Sequence, residues 1–270
     1  MRVRYNFGSR HTRTAKLGIK KQRPKFPALL SKIITTSDII LEVLDARFIR
    51  ETRNKEVENE IKSLHKILIF ILNKADLVSK IKEYPKPFII FSTKTKQGKS
   101  QLIDRLKIEA TRLGKERVEV GVIGFPNTGK SSVINLLRGK KSARTSSSSG
   151  FTRGIQKLKL TDKIYLFDSP GVIPSSEYSG TKKDALIKHT KIAARDYSKA
   201  KNPEMVIHNI IIEYPDKLED HYKIKEKGDS EVFLEKLGRK LNYLKKGNQV
   251  DTDRTARKIL RDWQQGEIKI

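Results

Sequence analysis

Short apolar runs alternate with amphipathic segments through the first part of the chain. Residues 67–72 are entirely apolar and residues 118–123 mostly so, which is typical of strands buried on both faces of a parallel sheet. The segment 101–113 instead places its apolar residues near helical spacing. Further strands are predicted at 39–44, 88–91 and 164–167, and further helices at 56–64 and 132–138. This alternation predicts an α/β fold with a parallel sheet and helices on both faces.

The pattern changes to helices alone after Gly171. Four helices are predicted, at residues 185–200, 203–214, 230–244 and 252–264. Pro203 and Pro215 suit helix starts or breaks. The third helix carries an apolar stripe, interpreted as the core of a small domain, of Phe233, Leu234, Leu237, Leu241 and Leu244. We therefore predict an α/β domain at 38–174, followed by a small all-helical C-terminal domain at 175–270.

A glycine-rich loop with the pattern G-x-x-x-x-G-K-S occupies residues 124–131. It lies between a predicted strand and a predicted helix, the context of a phosphate-binding P-loop, which makes an accidental glycine turn the poorer interpretation. Loop N–H groups and the helix N-terminus would bind phosphate oxygens, Lys130 would neutralise their charge, and Ser131 would be a ligand of Mg²⁺. The predicted phosphate-binding residues are Gly124, Asn127, Thr128, Gly129, Lys130, Ser131, Ser132 and Gly171.

A second loop, Asn-Lys-Ala-Asp at residues 73–76, follows the apolar strand 67–72. An Asp76 carboxylate at a strand end can accept two hydrogen bonds from guanine, and adenine offers no such pair of donors. Asn-Lys-x-Asp is also a common polar turn, but its place after a buried strand and beside a P-loop favours base recognition. The predicted guanine-binding residues are Asn73, Lys74, Asp76, Ser92, Thr93 and Lys94.

The sequence Asp-Ser-Pro-Gly at residues 168–171 ends another short strand. This D-x-x-G pattern suits a loop in which Asp168 holds Mg²⁺ through water and Gly171 contacts the γ-phosphate, although an ordinary turn has the same pattern. Residues 142–152 are serine-rich and are interpreted as a flexible linker, a switch loop holding Mg²⁺ through Thr152, or both. Val172 cannot orient a water molecule, so we expect slow intrinsic hydrolysis.

The order of these motifs is unusual, because the base-recognition loop precedes the P-loop. In this order the chain resembles the circularly permuted GTPases of the YlqF/YawG type, which assist assembly of the large ribosomal subunit. The resemblance covers most of the chain and includes its C-terminal tail, residues 254–268. Its other motifs are Asp45-Ala46-Arg47, Asn73 to Asp76, Ser92-Thr93-Lys94, Gly124 to Ser131, Gly150-Phe151-Thr152 and Asp168 to Gly171.

The resemblance implies a GTP/GDP site with Mg²⁺ and catalytic roles for Lys130, Asn127 and Thr152. It also implies that Asn127 binds a potassium ion, with a loop-stabilising amide as the alternative of equal weight. Three positions depart from the usual pattern, which are Ile49, Thr93 and Phe151. None removes a proposed ligand, but Phe151 leaves the role of Thr152 less defined.

Charge supplies the next signal, because 58 Lys and Arg stand against 31 Asp and Glu, a formal net charge of +27. This excess indicates a polyanionic partner such as RNA rather than a charge-balanced Lys-rich surface. Residues 1–37 contain ten of these cations and no acidic residue, and are interpreted as an RNA-binding arm rather than an organelle transit peptide. The helical domain at 175–270 is also expected to bind RNA, and the predicted RNA-binding residues of the arm are Arg2, Arg4, Arg10, Arg13, Lys20, Lys21 and Arg23.

The absence of cysteine excludes disulfides and thiolate metal sites and fits a reducing compartment, so we expect a cytoplasmic protein. No apolar run is long enough for a membrane span, and we expect a monomer. The leading hypothesis is a GTPase switch that binds rRNA and large-subunit precursors and is slow until the particle and potassium activate it. The alternatives are an RNA chaperone in which nucleotide is structural, and a GTPase directed at tRNA.

Overall fold

The computed structural model describes residues 25–81, 84–139, 156–169, 171, 173, 183–226 and 228–270. Six strands form one sheet in the spatial order β3-β2-β1-β4-β6-β5. They are β1 (Ile39–Asp45), β2 (Ile67–Asn73), β3 (Phe88–Ile90), β4 (Val118–Ile123), β5 (Gln156–Lys159) and β6 (Ile164–Asp168). The first four and β6 are parallel, as predicted. The edge strand β5 was not predicted, and it pairs antiparallel with β6.

Helices cover both faces of this sheet. They are α1 (Lys25–Thr36), α2 (Ile49–Thr52), α3 (Lys55–Ser63), α4 (Lys99–Leu113) and α5 (Lys130–Arg138). Side chains of β1 alternate between the faces, so Ile40 packs against α1 and α3 while Leu41 packs in the cluster that contains α4 and α5. The predicted layers of helix, sheet and helix are therefore confirmed.

Helix α1 corrects the predicted extent of the basic arm, residues 1–37. Ile33 and Ile34 are fully buried against the sheet, so Lys25–Thr36 belongs to the folded α/β region. The apolar spacing of Leu30, Ile33 and Ile34 carried this signal, but the high density of positive charge around it obscured the helix. Residues 1–24, with all seven predicted RNA-binding cations, lie outside the described part of the chain.

Residues 183–270, here called the helical region, contain α6 (Lys183–Lys191), α7 (Pro203–Glu213), α8 (Pro215–Tyr222), α9 (Ser230–Lys240) and α10 (Thr252–Gln265). The predicted helix 185–200 ends early, at Lys191, and a short 3₁₀ turn follows at Tyr197–Lys199. The domain is also not purely helical, because a hairpin of β7 (Leu244–Lys245) and β8 (Gln249–Val250) follows α9. Gly247 and Asn248 have positive φ angles, which allows the tight turn of this hairpin.

The apolar stripe of the third predicted helix is confirmed as core at Phe233, Leu234 and Leu237, which are all buried. The prediction is wrong for Leu244, which is 38% exposed because the chain has already left the helix and entered the hairpin.

The core of the helical region is continuous with the α/β region. Phe48 and Phe125, both fully buried, belong to the same apolar cluster as Trp263 of α10. The rings of Phe48 and Trp263 lie 5.9 Å apart. Ile173 packs against this cluster as well. The two regions therefore share packed side chains, although the predicted boundary at 174/175 falls beside residues that the structure does not describe.

Candidate nucleotide-binding site

The carboxyl ends of the parallel strands place the motifs along one edge of the sheet. Asp45 ends β1, Asn73 ends β2, the loop 124–129 follows β4, and Asp168 ends β6. The strand order puts the Asn73 loop on one side of the glycine loop and Asp168 on the other. Ligands of open α/β sheets bind at this edge, so a nucleotide would run from base to phosphate along it.

Two glycines in the loop are required by close backbone approaches. A side chain on Gly124, whose φ is +142°, would place its Cβ 2.4 Å from the carbonyl oxygen of Val43. A Cβ on Gly129, whose φ is +98°, would lie 2.2 Å from Nδ2 of Asn73. Helix α5 begins at Lys130, directly after the loop. The loop and the helix N-terminus thus present backbone N–H groups at the edge, as a P-loop does.

The Lys130 side chain folds over this loop. Its Nζ donates hydrogen bonds to the carbonyl oxygens of Gly124 at 3.1 Å and Phe125 at 2.8 Å. Burial lowers the pKa of Lys130 to about 8, and the nearby Asp168 carboxylate opposes that shift. Bound phosphate would add negative charge beside the ammonium group and favour its protonated form.

Ser131 and Asp168 form a candidate magnesium site. The Ser131 hydroxyl donates to Oδ2 of Asp168 at 2.8 Å, whereas the buried Oδ1 has no hydrogen-bond partner among the described residues. Burial raises the pKa of Asp168, an effect that the Ser131 bond and Lys130 oppose. An unpaired buried carboxylate oxygen is costly, and a hard cation with its water shell would satisfy it. These residues fit Mg²⁺; Thr152, the third predicted ligand, lies in a segment that is not described.

The base-recognition residues are tied to each other and to the P-loop. Asn73 donates through Nδ2 to the carbonyl oxygen of Thr128 at 2.8 Å. The Ser92 hydroxyl donates to Asp76 at 2.6 Å and accepts from the N–H of Thr95 at 3.1 Å. The structure therefore brings the two predicted base loops together, with the Asp76 carboxylate held in place by Ser92.

The predicted guanine-binding residue Lys74 is anchored through its ammonium group. The residue has a φ of +62°, and its ammonium group contacts Asp45 at 2.8 Å. Burial lowers the pKa of Lys74, while the charge of Asp45 opposes that shift. The ammonium group is thus part of the scaffold, and only the aliphatic stem remains for a ligand.

Sequence reasoning assigned no function to the network around Asp45. Arg47 donates to both carboxylate oxygens of Asp45, at 3.0 and 2.8 Å, and to the carbonyl oxygen of Trp263 at 2.7 Å. Burial alone would raise the pKa of Asp45, but Arg47 and Lys74 outweigh it and hold the pKa far below its usual value. The Asp-Ala-Arg motif was the available signal, but its partner Trp263 is distant in sequence.

Asn127 and Gly171 connect the P-loop to its surroundings. Asn127, at φ +60°, donates through Nδ2 to the carbonyl oxygen of Ala193 at 2.8 Å. A Cβ on Gly171 would lie 2.7 Å from the Cα of Pro126, so its backbone packs directly on the loop. Asn127 therefore has at least the structural role that the sequence left open beside potassium binding.

A cleft of about 460 Å³ joins these motifs. One wall carries residues that the sequence predicted, and the other carries residues of the helical region that it did not. The lining residues are Asn73, Lys74, Thr93, Asn127, Gly129, Ser132, Ala193, Asp196, Tyr197, Gln264 and Gln265. Lys94, the remaining predicted base-contacting residue, is exposed on the loop that follows Ser92.

Solved structures with this arrangement are known. A GDP-bound YlqF has a TM-score of 0.65 with 23% sequence identity, covering 88% of this chain and 94% of that one. A GNP-bound YlqF from T. maritima has a TM-score of 0.63 with 23% identity, covering 89% of this chain and 94% of that one. The fold and the site, with base-recognition strands before the P-loop strand, define the class of circularly permuted P-loop GTPases.

Comparison of the amino-acid sequence with protein families and individual proteins adds to the structural likeness. The family described as "50S ribosome-binding GTPase" matches residues 119–236. An uncharacterized GTP-binding protein of Methanocaldococcus jannaschii is 36% identical over 247 residues, covering 89% of this chain and 65% of that protein. Nucleolar GTP-binding protein 2 of Pneumocystis carinii is 37% identical over 254 residues, covering 88% of this chain and 52% of that protein. The chain therefore has the fold of circularly permuted P-loop GTPases and is similar to GTP-binding proteins over most of its length, and it spans between half and two thirds of these relatives.

Proposed function

We propose that the chain binds GTP, hydrolyses it to GDP and phosphate, and acts as a switch that binds rRNA of a large ribosomal subunit precursor and assists its assembly. The observation that carries the nucleotide part is one cleft that is lined both by Asn73 and Thr93 of the base loops and by Gly129 and Ser132 of the phosphate loop and its helix. Because both loops border the same cleft, one guanine nucleotide could contact both of them.

Selection of guanine rests on Asp76. Its carboxylate accepts one hydrogen bond from Ser92 and would accept further bonds from the N1–H and N2–H₂ groups of guanine. Adenine has an unprotonated N1 and no amino group at C2, so it would leave the carboxylate without these partners. Because adenine lacks these donors, we expect the site to prefer guanine over adenine nucleotides by 100-fold or more, on the order of the selectivity of other hydrogen-bonding sites.

Hydrolysis would use Lys130 and the residues that fit Mg²⁺. Ser131 and Asp168 would hold the ion, and Thr152 is proposed as a further ligand. The ion would supply positive charge that stabilises the phosphate oxygens during transfer. Lys130 would contribute a second positive charge at the same phosphates once they draw it away from the loop carbonyls.

The proposal includes slow turnover by the chain alone. Val172 offers no group to orient the attacking water, so a ribosomal particle and a potassium ion held by Asn127 are proposed to raise the rate. The side-chain amide of Asn127 already lies at the P-loop, where an added cation would face the phosphates.

RNA binding is supported by the net charge of +27 and by the names of the family and of the nucleolar relatives. The arm, now limited to residues 1–24, and the helical region are the proposed contacts. Such contacts to phosphates would weaken steeply as salt rises. Among the described residues, no helix is long and apolar enough to cross a membrane. A cytoplasmic monomer remains our proposal.

The contacts of Gly171 and Ile173 support a link between nucleotide state and RNA binding. Gly171 packs on the P-loop, and Ile173 packs on the core of the helical region. We propose that movement of this segment on loss of the γ-phosphate is transmitted to the helical region and releases RNA. Such coupling requires different RNA affinities in the two nucleotide states.

Co-sedimentation with large ribosomal subunits at fixed salt tests this function, with GDP compared against a non-hydrolysable GTP analogue. We expect stronger binding with the analogue and no nucleotide dependence in Lys130→Ala. The control Lys107→Ala removes an exposed cation of α4 and should keep the dependence. Equal binding of the wild-type chain in both nucleotide states would exclude the switch, and absence of binding would exclude this partner.

A further inference from the structure

The second wall of the nucleotide cleft has no assigned role. Ala193, Asp196, Tyr197 and Gln265 of the helical region line the cleft together with Lys74 and the P-loop, and Ala193 contacts the P-loop directly through Asn127. A nucleotide places its ribose between base and phosphates. The ribose would therefore lie along the stretch of the cleft where the helical region supplies the opposite wall.

The turn that carries Asp196 and Tyr197 is fixed from behind. The Gln264 side chain donates to the carbonyl oxygens of Thr190 and Arg195 at 2.7 and 2.9 Å, and accepts from the N–H of Tyr197 at 3.2 Å. Arg257 donates to the carbonyl oxygen of Tyr197 at 3.1 Å. The cleft-facing side chains are thus held on a preorganised backbone, as a binding wall requires.

Arg257 strengthens the same support with bonds to two further carbonyl oxygens, those of Ser198 at 3.0 Å and Ala200 at 3.1 Å. These bonds use only backbone atoms of the turn. Because they do not involve the Asp196 side chain, these bonds should persist in Asp196→Ala, although that variant loses the cap that Asp196 provides to Ser198.

Asp196 is a surprising residue in a cleft for phosphates. Its Oδ1 accepts from the N–H of Ser198 at 2.9 Å and from the Ser198 hydroxyl, and no hydrogen bond engages Oδ2 within the described residues. A carboxylate beside phosphates would be repulsive, whereas the ribose carries two neighbouring hydroxyl donors. A carboxylate that accepts from ribose hydroxyls is a known solution in dinucleotide sites.

We infer that Asp196 accepts hydrogen bonds from the ribose hydroxyl groups of the guanine nucleotide. The inference rests on the proposed function and makes the helical region part of the nucleotide site. Nucleotide binding would then join the two regions through the sugar in both the GDP and the GTP state, independently of the γ-phosphate.

Calorimetric titration of the full chain with unlabelled GDP and 2′,3′-dideoxy-GDP tests the inference, because ribose-attached fluorophores would disturb the contact. For the wild-type chain we expect the dideoxy nucleotide to bind about tenfold more weakly, the loss typical of a charged hydrogen bond. In Asp196→Ala the difference between the two nucleotides should shrink to less than about twofold.

Asp216→Ala is the matched control, because it removes an exposed carboxylate of α8 that does not line the cleft. It should retain the full preference for GDP. Equal affinity of the wild-type chain for the two nucleotides, or an undiminished preference in Asp196→Ala, would overturn the ribose contact and leave the proposed function standing. No binding of GDP by the wild-type chain would overturn both.

Discussion

Two buried carboxylates at the same edge of the sheet, Asp45 and Asp168, have opposite surroundings. Asp45 is fully buried, receives hydrogen bonds from Arg47 and Lys74, and has a strongly lowered pKa. Asp168 is 2% exposed, has one hydroxyl partner and one unpaired oxygen, and has a raised pKa. The first carboxylate is a completed part of the scaffold, and the second has capacity left for a ligand.

The difference matches the two parts of the candidate site, the base loops and the phosphate loop. Asp45 holds Lys74 of the base loop and, through Arg47, the backbone of Trp263 in the helical region. The base end is therefore built before any ligand arrives. The phosphate end keeps an unpaired oxygen at Asp168 and a cation with a lowered pKa at Lys130, and both groups gain from a bound metal and phosphate.

The largest effect is expected for Asp45→Asn. The change would leave the buried Arg47 and the partly exposed Lys74 without their anion, which costs about 3–5 kcal/mol of the free energy of unfolding. Urea unfolding curves measure this loss of stability. Asp104→Asn, at a site 68% exposed on α4, is the matched control and should change stability by less than about 0.5 kcal/mol. A loss below about 1 kcal/mol for Asp45→Asn would contradict a scaffold role.

A third buried carboxyl group, Glu42 of β1, can be compared with Asp45 and Asp168. It has an unpaired oxygen, Oε2, as Asp168 does, but it does not line the cleft. Burial and the neighbouring Glu58 raise the pKa of Glu42 to about 8, against the opposing effects of the Asn54 N–H and Arg53. Here we expect a neutral acid rather than a site for a cation.

The pH dependence of stability tests this view. The unfolded chain ionises Glu42 near pH 4.5 and the folded chain only near pH 8, so stability should fall as pH rises between these values. The loss is on the order of 2–4 kcal/mol and should be absent in Glu42→Gln. Unfolding curves at pH 5 and pH 8 measure it, and identical pH profiles for the two proteins would refute the raised pKa.

For Asp168→Asn we expect a smaller change in stability than for Asp45→Asn. We also expect a specific loss of Mg²⁺-dependent nucleotide binding. Removing a buried charge with one unpaired oxygen should stabilise the nucleotide-free chain by about 1 kcal/mol. The same change should remove the dependence of GTP-analogue binding on Mg²⁺. Thermal unfolding without nucleotide and titrations with and without Mg²⁺ separate the two effects, and a retained Mg²⁺ dependence would exclude Asp168 as a ligand.

The parts of this picture that follow from local sequence were predictable. The apolar run of β2 and the glycines at 124 and 129 determine their own conformations, so strand, loop and motif were found together. The Asp45 network was not predictable, because Arg47 and Trp263 are separated by 216 residues. The wall at Asp196 was missed for the same reason, since only tertiary packing brings that turn to the cleft.

Strand β5 and helix α1 were not predicted from the sequence, and the reason is different. Gln156–Lys159 has one apolar residue, Leu158, between two lysines at the edge of the sheet, so it lacks the apolar run of a buried strand. In α1, the positive charge of the surrounding sequence outweighed a short apolar stripe in our interpretation. Weak hydrophobic patterns at the edge of a fold depend on the partner that covers them.

The most direct test of the central claim is a calorimetric comparison of GDP and ADP binding, in the presence of Mg²⁺, for the wild-type chain and Asp76→Ala. The account predicts that the wild-type chain prefers GDP by 100-fold or more, on the order expected when a site built to accept two hydrogen bonds loses both donors. It also predicts that Asp76→Ala loses most of this preference, through weaker GDP binding. Equal affinity of the wild-type chain for GDP and ADP would contradict a guanine-nucleotide site.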